Sequence, residues 1–227
     1  MEQYKINDRL LTAVPFVREG KRFADIGTDH AYLPIYLIGL NLISTAVAAD
    51  INKGPLDKAI ENIERYGYSE NITTVLCDGL KKVSPDMVDD IAIFGMGGEL
   101  IAKIIDDAQW LKDSSKRLIL QPMTHPEKLR EYLCKNGYRI IGESLSLDRG
   151  KIYQTICAEY DGQIRKLDIL SLNFGEFILE NKSDLLIELM NNSARKVERK
   201  ILGKTEGGED ITREQELLVR IKEYIER

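Results

Sequence analysis

The sequence predicts an α/β fold: a mainly parallel sheet followed by a pair of C-terminal helices. Three observations carry this reading. Short apolar runs alternate with helical segments from Arg22 to Glu159, the pattern of repeated βαβ units. Five consecutive runs end in polar residues or glycines: Asp25 and Gly27, Asp50, Asp78, Gly95 to Gly98, and Gln121. Beyond about Asp161 the strand pattern stops and helical periodicity takes over.

Taken in order, Asn7 caps a helix expected to run through Arg18, with Leu10, Leu11, Val14 and Val17 on one face; Pro15 forecasts a kink or an early stop. The first strand spans Arg22 to Ile26, and a helix covers Tyr32 to Gly39. Thr45 to Ala49 is the second strand. Pro55 opens a helix to Tyr66, and Gly67 ends it. Strands follow at Ile72 to Cys77 and Ile91 to Phe94, then a helix from Glu99 to Asp106 and a strand from Arg117 to Leu120, closed by Gln121-Pro122. His125 or Pro126 starts a helix to Lys135. Tyr138 to Glu143 and Tyr153 to Glu159 are late strands joined by a polar turn. Ser183 caps a helix from Asp184 to about Leu202, and a capping box at Thr212-Arg213-Glu214-Gln215 starts the last helix. Two amphipathic helices joined by a short turn should lie antiparallel. The division expected is residues 1–160 for the sheet domain and 161–227 for the helical domain.

The chain has 227 residues and a net charge of −5, so it lacks the overall basicity of many nucleic-acid binders. Two local basic groups stand out, Lys5, Arg9, Arg18, Lys21 and Arg22 early and Arg195, Lys196, Arg199, Lys200 and Lys204 late. Each reads either as a solvated helix face or as a polyanion contact. Cys77, Cys134 and Cys157 are dispersed without metal-ligand spacing, so buried thiols and no metal are expected. The start of the chain lacks a signal-peptide core, and the longest apolar run, Tyr32 to Ile43, is too short for a bilayer and contains Pro34. A cytoplasmic protein without a membrane partner, monomeric or weakly dimeric, is therefore expected.

The most informative stretch is Phe23 to Pro34. A buried strand ends in an acid and a glycine and turns tightly into a helix; about 25 residues on, a second strand ends in Asp50. That layout suits a nucleoside cofactor, with backbone close to the ligand and an acid for the ribose hydroxyls. The turn is not G-x-G-x-x-G, however: Asp29 takes the place of the second glycine and Ala31 that of the third. A carboxylate there repels a pyrophosphate and attracts a sulfonium. S-adenosyl-L-methionine is thus expected in preference to NAD.

Together, Asp25-Ile-Gly-Thr-Asp-His-Ala-Tyr-Leu-Pro34, Ala49-Asp50-Ile-Asn52, Cys77-Asp-Gly79, Gly95-Met-Gly-Gly98 and Gln121-Pro122 resemble the class I methyltransferases. More narrowly, the chain resembles the bacterial tRNA adenine-N1-methyltransferases acting on adenosine 22. It departs from generic methyltransferases in a glycine-poorer first loop and in having Gly95-Met-Gly-Gly98 where many carry Asp/Asn-Pro-Pro-Tyr. The resemblance implies a Rossmann-like class I domain with an antiparallel, coiled-coil-like helical appendage. It also implies tRNA as the partner and S-adenosyl-L-methionine as the cofactor.

By that resemblance Gly27 admits the methionine part of the cofactor, and Asp50 accepts the ribose hydroxyls with Ile51 beside it. Asp78 holds the adenine amino group next to Gly79. Asp25 orients the first loop or the cofactor's amino end, and Gly95, Met96 and Gly97 complete the cofactor site. Gly98, Gln121 and Pro122 line the substrate side, and Arg195, Arg199 and Lys200 hold RNA phosphates. Asp29 and His30 are the catalytic candidates. Adenine N1 needs no deprotonation before it attacks, so Asp29 would accept a hydrogen bond from N6–H while charge moves onto the ring. His30 would position Asp29 or touch a phosphate. The competing structural roles are an N-cap for Asp29, a hydrogen-bonded structural residue for His30, and core filling for Met96. A methyltransferase of small metabolites and a non-catalytic binding module are the alternative functions.

Overall fold

The computed structural model describes residues 6–226, so Lys5 of the early basic group lies outside the described residues. Seven strands form one sheet in the order β3-β2-β1-β4-β5-β7-β6. They are β1 (Phe23–Ile26), β2 (Ala46–Asp50), β3 (Ile72–Leu76), β4 (Asp90–Gly97), β5 (Arg117–Thr124), β6 (Tyr138–Asp148) and β7 (Lys151–Tyr160). The first five pair in parallel, while β7 runs antiparallel to both β5 and β6. Strand order reverses between β1 and β4, so the crevice beyond their carboxyl ends is the natural ligand position in such a sheet.

Helices cover both faces: α1 (Asp8–Leu11), α2 (Tyr32–Gly39), α3 (Lys53–Arg65), α4 (Gly98–Asp107) and α5 (Pro126–Lys135). One core holds Ile91, Ile93, Ile101, Leu118 and Leu129; the other holds Leu10, Phe23, Leu33, Ala92 and Ile119.

The first helix is shorter than its periodicity predicts. Asn7 caps it as expected, its side chain accepting from the Leu10 N–H at 2.9 Å, but regular helix ends at Leu11 and a 3-10 turn follows at Val14–Phe16. Pro15 lacks an N–H and its ring crowds the carbonyl of the preceding turn. The segment then runs down the sheet. At the amino end of β4, Arg18 Nε donates to the buried Asp90 at 2.7 Å, and Arg22 pairs with Asp89. These two arginines of the early basic group are therefore engaged at the end of the sheet away from the crevice.

The strands of the late hairpin are longer than expected, meeting at a two-residue turn in which Arg149 and Gly150 both have positive φ, 48° and 74°. Ser144 and Ser146 hid the extension, being polar residues in a strand that is largely covered. Two unforeseen helices follow, α6 (Ile169–Phe174), capped by Asp168, and α7 (Glu176–Glu180). They close over a fully buried ion pair. Arg130 Nε donates to Glu143 Oε1 at 2.7 Å, Arg130 Nη1 to the Leu172 carbonyl at 3.1 Å, and the Phe177 N–H to Glu143 Oε2 at 3.2 Å.

The last helices are α8 (Asp184–Glu206) and α9 (Thr212–Ile225), packed antiparallel with Val197, Leu217 and Ile221 between them. The expected capping box does not form. Asp210 accepts the Thr212 N–H and hydroxyl, and Glu214 turns to Lys200 and Lys204 of α8, at 2.8 and 3.0 Å. Those two ammonium groups pull the Glu214 carboxyl down to about 2.

Candidate active site

The loop after β1 is tied to β2: the N–H groups of Gly27 and Thr28 both donate to the Ala49 carbonyl, at 2.8 and 2.9 Å. Gly27 has φ +75°, and a Cβ there would run into the Met96 methyl. The loop then passes two non-glycine residues in the left-handed region, His30 at φ 63° and Ala31 at φ 56°. Such positions cost of order 1–3 kcal/mol each and persist where the surroundings hold them. Here the Asn62 side chain of α3 donates to the His30 carbonyl at 3.0 Å, and the imidazole stacks on Tyr32 with ring centroids 5.2 Å apart.

Asp29 does not cap α2; Ala31 occupies that position, without a side-chain cap. The Asp29 carboxylate is exposed and lies 3.1 Å from His30 Nε2. Asp25 is its opposite: 5% exposed, with the Thr28 hydroxyl donating to it at 2.7 Å. Burial raises its pKa to about 6 against the pull of Thr28 and Arg9, and the charges of Asp29 and Asp50 push it the same way. Three carboxylates thus act on one crevice.

Asp50 ends β2, and its Oδ1 accepts the Asn52 N–H at 2.6 Å. Ile51, beside it, is 61% exposed, an apolar side chain at a strand end with its surface open. Asp78 follows β3 and pairs with Lys81, which holds its carboxyl below the usual range. Gly79 has φ +56°, and a Cβ there would press on Ile104 at 3.1 Å. A cleft of about 420 Å³ opens between Asp78-Gly79 and the far end of α4, walled by Ile104 and Trp110.

The end of β4 divides the glycine run into two roles. Gly95, at φ +78°, is exposed beside Met96, and Gly97 is the N-cap of α4. Gly98 is buried, and a Cβ on it would run into the carbonyl of His125. Its function is close packing of α4 on the β5–α5 loop, so its expected place on the substrate side is corrected. Gln121 and Pro122 are corrected likewise, because both are buried. β5 runs on to Thr124 and carries Met123, Thr124 and His125 to the surface instead. The Gln121 amide serves the fold, donating to the Arg9 carbonyl at 3.0 Å and the Thr155 hydroxyl at 2.9 Å.

Arg195 and Arg199 are exposed on α8, bonding its own carbonyls at 3.3 and 3.2 Å. Lys200 pairs with Glu214 at 2.8 Å and keeps most of its side chain exposed.

Comparison with known proteins decides the family. The profile of TrmK, tRNA (adenine(22)-N(1))-methyltransferase, matches residues 23–226. The chain belongs to this family. A tRNA (adenine(22)-N(1))-methyltransferase from Bacillus subtilis strain 168 is 36% identical over 178 residues, 78% of this chain and 75% of the relative. Streptococcus pneumoniae Sp1610, solved in complex with S-adenosyl-L-methionine, is 32% identical with a TM-score of 0.86, covering 97% of this chain and 100% of that one. Mycoplasma capricolum TrmK, solved with S-adenosyl-homocysteine, is 28% identical with a TM-score of 0.82, over 98% and 99% of the two chains.

For a TrmK-family protein, the first loop, Asp50, Ile51, Asp78, Gly79 and Gly95 to Gly97 converge on the carboxyl side of the sheet. Sequence reasoning missed Arg9 and Tyr153, whose guanidinium carbon and ring centroid lie 5.8 Å apart. Arg9 was legible only as one member of a basic group, and Tyr153 only as a strand residue. Nothing in their spacing placed them at the mouth of β4 and β5.

Proposed function

We propose that the chain transfers the methyl group of S-adenosyl-L-methionine to N1 of adenosine 22 in tRNA, with the strand-end residues as its active site. The observation that supports the reading is the set of acids at the switch point of a TrmK-family sheet, with Asp25 in β1, Asp29 in the loop after it and Asp50 at the end of β2. Such a site favours a cation and disfavours a pyrophosphate. The residues present fit the group, for Gly95 holds positive φ with its backbone open, while Gly27 and Gly79 hold positive φ and let Met96 and Ile104 pack against the strand ends. Asp50 would take the ribose hydroxyls, Ile51 and Met96 the apolar edge of the adenine, and Asp25 the amino end. Asp78 would exchange Lys81 for the adenine amino group.

When bound, the cofactor supplies an electrophilic methyl carbon on a sulfonium. The N1 lone pair forms the new C–N bond as the C–S pair returns to sulfur, and the positive charge passes to the base. Asp29, exposed and held by His30, accepts a hydrogen bond from N6–H and stabilises that charge as it develops. The base edge must be free of pairing, so the nucleotide enters unstacked. Arg195 and Arg199 are available for phosphates elsewhere on the RNA. We assign catalysis to residues 1–160 and the helical appendage to 161–227, since every proposed cofactor residue precedes the boundary. The tRNA substrate puts the work of the protein in the cytoplasm.

The test is mass spectrometry of unmodified tRNA incubated with the protein and methyl-labelled cofactor. Label at N1 of adenosine 22 is expected; label elsewhere, or none, would overturn the reading. Asp29→Ala should slow single-turnover methylation at saturating cofactor and RNA, and a wild-type rate would remove Asp29 from the chemistry.

A further inference from the structure

We propose that the hairpin arm formed by the ends of β6 and β7 is an RNA contact, with Arg149 and Lys151 at its tip holding phosphates of the tRNA beside the crevice. This rests on the functional reading above and adds a surface to it. The arm continues past the sheet. β5 pairs with β7 only from Arg117↔Glu159 to Leu120↔Ile156, whereas β6 and β7 stay paired as far as Asp148↔Lys151. Lys151 to Thr155 thus extend beyond the last β5 pair, about 17 Å of strand at 3.3–3.4 Å per residue. The base of the arm is fixed on both faces. Thr155 accepts from the Gln121 amide at 2.9 Å on one, and on the other Gln154 accepts from Arg130 at 2.7 Å while Leu145 packs on the core of the helical appendage.

The tip carries a charge in a costly conformation. Its two-residue turn has positive φ at both positions, 48° at Arg149 and 74° at Gly150. Such a turn favours Asn-Gly or Asp-Gly, and a long side chain at its first position is disfavoured. The chain nevertheless sets a guanidinium there, at the outermost point of the arm. Arg149 and Lys151 are both exposed, and neither has a carboxylate within ion-pair distance among the described residues. The one acid of the turn is Asp148. Leu147, one step below, is 46% exposed and gives the arm an apolar surface that a ribose or an unstacked base can cover.

Position selects the ligand. In the order β3-β2-β1-β4-β5-β7-β6, the proposed cofactor residues lie at the ends of β3, β2, β1 and β4. The arm stands three strands from β1, about 14 Å sideways at 4.7–4.9 Å per strand, and rises beyond the sheet as well. The carboxylate of S-adenosyl-L-methionine lies beside its amino end, which Asp25 of β1 would hold, so it is out of reach of the tip. The anion that a substrate of this family brings to the β7 side is the RNA backbone.

Four variants test this: Arg149→Asn, Arg149→Lys, Lys151→Gln, and the double variant of Arg149→Asn with Lys151→Gln. Binding of unmodified tRNA is followed by fluorescence anisotropy across a salt series, cofactor binding by titration calorimetry and Tm by scanning calorimetry. Arg149→Asn should raise Tm by roughly 1–3 °C, because Asn takes the left-handed position more readily, so weaker binding in that variant is not lost fold. Arg149→Asn and Lys151→Gln should each weaken tRNA binding about 3- to 10-fold, between the worth of an exposed ion pair and that of a charge-assisted hydrogen bond. Each should flatten the log–log salt slope by roughly 0.7–0.9, and the double variant by about twice that. Arg149→Lys should keep the slope, and cofactor affinity should stay within about twofold throughout. Wild-type affinity and slope in the double variant overturn the proposal, as does lost cofactor affinity with unchanged tRNA binding. If the wild-type protein itself fails to bind tRNA, the functional reading falls and the arm falls with it. If the wild type binds and methylates tRNA while the double variant matches it, only the arm is refuted.

Discussion

Asp25 should make the protein without cofactor less stable at neutral pH than it would be with an amide in that place. The carboxylate is 5% exposed, and burial raises its pKa from 3.8 to about 6. A raised carboxylate favours folding below its unfolded pKa, and that contribution is lost as pH climbs through the folded value. The difference of 6 − 3.8, about 2.2 units, corresponds to roughly 3 kcal/mol, developed between pH 4 and pH 7. Asp25→Asn removes the ionisation while preserving the shape, and its amide can turn to the Thr28 hydroxyl. Denaturant unfolding of both proteins without cofactor, at pH 4, 5, 7 and 8, should show the variant gaining on wild type as pH rises. About half of the gain should be present at pH 5 and nearly all of it by pH 7. Calorimetry should show the opposite ranking for S-adenosyl-L-methionine, with the variant binding more weakly at pH 7 and wild type losing affinity as pH falls through about 6. A stability difference that does not change with pH would refute the reasoning, because it would mean that Asp25 is not titrating in the folded protein.

Three further outcomes follow from the packing. Glu143→Gln leaves the buried Arg130 charge without its partner and should cost about 3–5 kcal/mol in denaturant unfolding. Gly98→Ala drives a methyl group into backbone that cannot swing away, so a loss of about 1–3 kcal/mol and a lower Tm by calorimetry are expected. Deleting the chain after Lys182 keeps α6 and α7 over the Arg130–Glu143 pair, so cofactor affinity should survive in calorimetry. The same truncation should weaken tRNA binding and flatten its salt dependence, because Arg195 and Arg199 leave with α8.

The sheet was legible in the sequence because its signals are local. An apolar run that ends in Asp25-Ile26-Gly27, Asp50, Asp78-Gly79 or Gly95 needs no distant partner to declare a strand end. Where polar residues are spent on packing, local reading failed. Gln121 reads as a strand end like the others, but β5 continues to Thr124, and Thr155 and the chain at Arg9 and Thr12 claim the Gln121 amide. Gly98 looks like its neighbours Gly95 and Gly97, yet only the approach of His125 explains it. Thr212 and Gln215 satisfy the pattern of a capping box, yet the helix starts one residue earlier than that box requires and Asp210 takes the Thr212 N–H and hydroxyl. Helices α6 and α7, at six and five residues, are too short for periodicity to reveal and form over the Arg130–Glu143 pair. The sequence by itself determined the α/β order, the strand-end acids and the preference for a cationic cofactor. Only the tertiary structure decided which polar groups face the crevice and which are consumed within the fold, and it alone brought Arg9 to the mouth of β4 and β5. The reason is physical: a buried hydrogen bond or ion pair is settled by partners as many as 143 residues apart, a separation that no local pattern encodes.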